Sequence, residues 1–306
     1  MPYTDLLRQA LRIAWRNRWL WLLAFFAGET GGGFSSGFRG GNPFPGATRT
    51  GRVSGLPDLT PAWLWVQDHA ALLVAAGVGL LVVWIVLFFV SCACAAAEVR
   101  GVSEIDGGRP SGLRRAWALG GERFWPVVRL RLALLVAGLA ILLVFGLVAA
   151  AALALGLERS WFALLVVLYF AVALAFTVLL VGIAFSVLLP VALRAAALEG
   201  RPGLGALRRA YELAKARPGR VIACWGLMVA CQLAFGLALF LAAALVAVPA
   251  LAAAAAAYAA GQLAATVIAA VFFGIVIGGA VLVASAAFAA FYSSFWTLAY
   301  ARLETT

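Results

Sequence analysis

The sequence predicts an all-α integral membrane protein of about six transmembrane helices, arranged as three repeats of a cytoplasmic interfacial amphipathic helix followed by two spans. Three observations carry that expectation. First, the 306-residue chain is 65% hydrophobic and only 11% charged, with a mean hydropathy of +1.05, whereas about a quarter of the residues in soluble domains are charged. Second, the apolar residues fall in uninterrupted runs long enough to cross a bilayer, which takes ~20 residues per helix. Third, a short basic segment recurs three times, each time directly before an apolar run.

The clearest copy of that segment is LGALRRAYELAKARPGRV, residues 204–221. Setting Leu207 beside Leu113 and Leu7 aligns the copies without a gap. Arg208 then meets Arg114 and Arg8, Ala210 meets Ala116 and Ala10, and Tyr211 meets Trp117 and Leu11. Arg217 falls on Arg123 and Asn17. Repeat units of about 1–100, 101–200 and 201–306 follow, within one membrane domain covering 1–306. Each unit closes on a glutamate: Ala95-Ala96-Ala97-Glu98, Ala195-Ala196-Ala197-Leu198-Glu199 and Ala301-Arg302-Leu303-Glu304.

Taken in order, residues 4–15 form the first basic helix. Leu7, Ala10, Leu11 and Ala14 are expected on one face and Arg8 and Arg12 off it, as in a helix lying in the membrane interface. A first span near 15–28 follows. It is the shortest, since Trp19 to Ala27 gives only ~14 Å of helix. Residues 28–61 are glycine-rich and are expected as an external loop, with re-entry of Gly31–Phe38 as the sharper alternative. Trp63 and Trp65 suit an aromatic belt.

Ala70 to Ala97 carries no charge and predicts the second span. The second basic helix, 111–123, is expected to turn Leu113, Ala116, Trp117 and Gly120 toward the membrane. Pro126 leads into a third span through Leu132–Leu157. A short link predicts that it packs as a hairpin with the fourth span, Ser160–Leu193, where Pro190 is expected to kink or end the helix. The third basic helix, 204–216, precedes an uncharged stretch from Val221 to Ala301. Pro249 and Gly261-Gln262 are the candidate breaks, giving spans near 221–247 and 263–297.

Orientation follows from the cations. Nineteen of the 23 Lys+Arg fall in the N-terminal segment, 98–131, 194–220 and the C-terminus. The positive-inside rule makes that side cytoplasmic, with both termini inside. The plasma membrane of a bacterium is the expected location, the arginine- and alanine-rich composition suiting a GC-rich genome. The net charge of +11 is assigned to the membrane surface and not to nucleic acid.

The motif L-R-x-A-aromatic-x-L, seen in Leu113–Leu119 and Leu207–Leu213, resembles an uncharacterised bacterial multi-pass family. That family is similar to the membrane domain ahead of the catalytic domain in some glycerophosphodiester phosphodiesterases. The resemblance implies six helices with interfacial helices. Without the catalytic domain it implies no enzymatic activity.

Chemistry-bearing residues are sparse. His69 stands beside Asp68 with no evident co-ligands. Cys92, Cys94, Cys224 and Cys231 read as apolar filler. No Walker loop, G-x-S-x-G or H-E-x-x-H occurs, so no catalytic set and no cofactor is expected. The four longer runs hold no ionisable group, which weighs against an ion-coupled pump. Arg129 and Arg131 lie a turn or more into the third span, snorkelling or paired with Glu98, Glu104 or Glu122. Gly274 and Gly278 spell a small-xxx-small motif, expected to serve packing within the chain.

The candidate contacts for anionic lipid or a partner are Arg8, Arg12, Arg114, Arg115, Arg129, Arg131, Arg208, Arg209 and Lys215. The functional expectation is a non-enzymatic membrane module that binds anionic headgroups, or a membrane-protein partner or second copy of the chain. A transporter or lipid-translocating protein, or a component of a transport or export complex, is the alternative.

Overall fold

A computed structural model describes residues 3–29, 68–154 and 161–305. The described residues form nine helices. They are α1 (Tyr3–Arg16), α2 (Trp19–Ala27), α3 (Ala70–Asp106), α4 (Leu113–Glu122), α5 (Phe124–Ala154), α6 (Trp161–Arg194), α7 (Gly203–Ala216), α8 (Pro218–Ala259) and α9 (Leu263–Thr305). A π turn, Ala195–Glu199, closes α6. Five of them, α3, α5, α6, α8 and α9, are long and apolar enough to cross a membrane. The protein is an all-α, multi-pass membrane protein.

Burial divides the molecule into two layers. In one, the long helices expose large apolar side chains outward, including Leu80 and Trp84 on α3, Leu142 on α5, Phe176 on α6, Phe240 on α8 and Phe272 on α9. Water would make so much apolar surface untenable, and lipid makes it stable. The other layer is a packed base. It holds residues 92–102 of α3, Val127–Leu130 of α5, the end of α6, the start of α8 and most of 289–303 of α9, with all four short helices.

Small residues set how the base packs. A Cβ on Gly120 of α4 would stand 2.6 Å from the Ala97 backbone of α3, and one on Gly101 would stand 3.1 Å from the Ala116 Cβ. The two contacts run in opposite order along the chain, so α4 lies antiparallel against α3. The face of 111–123 expected to turn toward the membrane is in part covered by α3 instead. Ala116 and Gly120 are small because a helix presses on them. Leu113 and Trp117 stay substantially exposed.

α2 also runs back along α3. Trp19 packs over Gly101, and at the other end Ser91 Oγ donates to the Ala27 carbonyl at 3.1 Å. At nine residues, α2 spans the packed base and ends where the lipid-facing half of α3 begins. The expected first span is thus a short base helix as far as the described residues run. The glycine-rich stretch, with its external or re-entrant alternatives, lies outside them.

α1 buries Leu6, Ala10, Ile13 and Ala14 and leaves Leu11 and Trp15 exposed, so Leu11 is not on the buried face. Gln9 ties three elements, donating to Asp106 Oδ1 at 2.6 Å and accepting from Arg302 at 2.6 Å. The ends of α1, α3 and α9 therefore meet at the base.

The helix breaks have local causes. Asn17 donates to the Ile13 carbonyl through side chain and backbone, ending α1. Arg123 separates α4 from α5. Arg217, held off the α region by the proline after it, separates α7 from α8 with Pro218 in the first turn. Pro249 does not break α8. The turn comes at Gly261, in the left-handed region at φ 74. Gln262 N–H donates to Ala257 and Gly261 N–H to Tyr258, the paired bonds of a Schellman end. Pro190 likewise sits inside a continuous α6.

Two further expectations change. Among the described residues α5 and α6 touch little, each leaning instead on α7. A Cβ on Gly203 would come within 3.2 Å of the Arg129 carbonyl, which marks how closely α7 crosses α5. Gly274 and Gly278 face open space, so they do not serve packing within the chain.

Candidate functional site

Two features of the base carry chemistry. The first is an apolar cavity of about 540 Å³ between α2, α3 and α4. Leu22 and Phe26 line it from α2, Val90 and Cys94 from α3, and Leu113 and Trp117 from α4. Arg114 is its one charged lining residue among the described residues. Val90 lies where α3 passes from its lipid-facing half into the base, next to the exposed Phe89. The groove therefore continues the lipid-facing surface. Arg114 is exposed and forms no ion pair among the described residues, while its neighbour Arg115 bonds Glu104 at 2.9 Å.

The second feature is a buried charge cluster at the junction of the layers. Arg194 is fully buried and meets Glu29 at 2.6 Å. It also donates to the Pro190 carbonyl at 3.1 Å and to both the carbonyl and the hydroxyl of Ser293 at 3.1 Å. Arg131 donates to Ser91 Oγ and, at 2.7 Å, to the Ala27 carbonyl. That carbonyl belongs to the C-terminal end of α2, where a cation is favoured by the helix dipole. Glu98 is fully buried beside them.

The candidate contacts separate into three kinds. Arg8, Arg12, Arg114, Arg129 and Lys215 are exposed and free of salt bridges among the described residues. Arg115, Arg208 and Arg209 are ion-paired. Arg208 bonds Glu212 at 3.0 Å, and Arg209 bonds Glu199 at 3.3 Å and Glu304 at 3.2 Å. Burial opposes the charge on Arg209, but Glu199 outweighs it and holds the guanidinium above its ordinary value. Arg131 alone is an internal residue. It neither snorkels freely nor pairs directly with Glu98, Glu104 or Glu122.

Sequence reasoning missed Glu29 and Arg194 and placed Glu98 at the membrane edge. Both Glu98 and Arg194 end an apolar run and so read as loop residues. The available signal was their setting, since alanine triplets adjoin both and small residues let neighbouring helices close over a charge. Among the described residues, no three His, Cys, Asp or Glu side chains gather as a metal site. The four cysteines are free. Compared with protein-family models, with curated proteins and with solved structures, the chain finds no match in any of the three.

Proposed function

We propose that the chain is a non-enzymatic module of the bacterial plasma membrane that binds anionic lipid through its cytoplasmic base. One observation carries this reading: among the described residues, the groove between α2, α3 and α4 joins apolar walls open to the lipid-facing surface with a single cation free of ion pairs, Arg114. Such a site suits an acyl chain lying against Phe26, Val90 and Trp117 with its phosphate on the guanidinium. The base is also where the cations concentrate, which supports a cytoplasmic placement with both termini inside and six passages of the chain.

The proposal extends to a threefold repeat. Ala10, Ala116 and Ala210 are all fully buried. Leu11, Trp117 and Tyr211 are 55%, 47% and 57% exposed, so equivalent positions share one environment. Arg8, Arg114 and Arg208 are exposed one turn before them, and helices break at Asn17, Arg123 and Arg217. The resemblance to membrane domains associated with glycerophosphodiester phosphodiesterases agrees with a lipid-facing role.

A transporter is the second reading, favoured by the buried Glu29–Arg194 pair, since intramembrane charge often marks a path. Reconstitution separates the two. Wild type and R114Q are placed in mixed zwitterionic and anionic liposomes and scored for anionic-lipid enrichment and for solute flux. The lipid reading predicts enrichment that R114Q reduces, without flux. Flux with equal enrichment in both proteins rejects it.

A further inference from the structure

Glu98 is completely buried, and among the described residues neither carboxylate oxygen makes a well-formed hydrogen bond, with only the Ser293 side chain beside it as a polar neighbour able to donate weakly. Charged and polar groups face it from all sides. They are Glu29 beyond the end of α2, Cys94 one turn back on α3, Arg131 on α5, Arg194 on α6 and Ser293 on α9. Tyr292 of α9 faces Glu29 and Arg194 behind them. α4 meets α3 here through Ala116 and Gly120, which bring no charge.

Both cations are committed elsewhere. Arg131 serves Ser91 and the end of α2, and Arg194 serves Glu29, Pro190 and Ser293. Spare bonding capacity remains, because Arg194 Nε and Glu29 Oε1 are buried without partners among the described residues. An ionised carboxylate left unpaired in a dry interior is far costlier than the neutral acid, which forgoes only hydrogen bonds.

We propose that Glu98 is a reversible proton-binding site, neutral while Glu29 holds Arg194 and drawing Arg194 onto itself when the proton leaves. In that step the carboxylic O–H bond breaks, the proton passes to water, and the remaining negative charge is met by the guanidinium. Glu29, with 6% of its side chain exposed, gives up its share of Arg194. The site is distinct from the lipid groove, although Cys94 lies beside both.

Infrared spectroscopy of the full chain in phosphatidylcholine–phosphatidylglycerol vesicles tests this directly. At neutral pH the wild type should show the carbonyl stretch of a protonated carboxylic acid shielded from solvent exchange. E98Q, which has the shape of the neutral acid, should lack that band and unfold at the same temperature. E29Q removes a like charge and frees Arg194, so half the band should require at least about tenfold higher proton concentration than in wild type. Three results each overturn the proposal: no shielded band in wild type, an unchanged band in E98Q, or an E29Q titration that matches wild type. Should E98Q fail to fold, wild type and E29Q still decide.

Discussion

Replacing Gly120 by alanine tests the packing that builds the groove. The added Cβ would lie 2.6 Å from both Cα and N of Ala97 and 2.8 Å from its Cβ. Carbon atoms at rest sit ~3.5–4.0 Å apart, and the obstacle is backbone, which cannot swing aside. α4 would have to move off α3 by roughly 1 Å, a strain of about 1–3 kcal/mol. Alanine also favours helix over glycine by up to ~1 kcal/mol, which would mask part of the loss. The adjacent Gly121 removes the ambiguity, since nothing lies within 4 Å of a Cβ there. G121A shows the propensity gain alone, and the difference between the variants isolates the contact. Reversible unfolding in mixed detergent micelles, followed by circular dichroism, should find G120A less stable than G121A by about 1–3 kcal/mol. Equal stability would mean that α4 does not pack against α3 through this face.

Other perturbations follow from the same geometry. R194Q leaves Glu29 buried without its partner and should destabilise by ~3–5 kcal/mol in the same assay. Y300F removes the hydroxyl that donates to Glu199 and should cost about 1 kcal/mol. Single cysteines at Ser103 and Gln262, in a background lacking the native four, should differ toward an impermeant thiol reagent added outside cells. Position 262, at the turn between α8 and α9, should react and position 103 in the base should not; the reverse pattern would invert the orientation.

The bounds of the three basic helices were legible in the sequence. Expected at 4–15, 111–123 and 204–216, they run over Tyr3–Arg16, Leu113–Glu122 and Gly203–Ala216. Local signals, namely the recurring basic segment and Pro126 after its second copy, were sufficient for that. Their packing was not legible, because an apolar or small residue does not declare whether lipid or a helix will cover it. Ala116 and Gly120 face α3, whereas Trp117, one residue from Ala116, lines the groove. The buried cluster was hidden for a related reason. Glu98 and Arg194 interrupt hydropathy and so mark the ends of runs, and only the meeting of α2, α3, α5, α6 and α9 makes them internal. Arg114 was legible as a candidate among nine cations. Its lack of a carboxylate partner among the described residues, against the pairing of Arg115, Arg208 and Arg209, required the fold.

Native mass spectrometry of the purified protein, titrated with an anionic phospholipid, tests the lipid-binding account most directly. Each basic residue near an anionic surface is worth ~1 kcal/mol, so R114Q should weaken retention of the tightest-bound lipid by about fivefold. R209Q, whose guanidinium is already held by Glu199 and Glu304, should retain lipid as wild type does. Lipid retention unchanged in R114Q, or reduced equally in R209Q, would contradict the assignment of the groove.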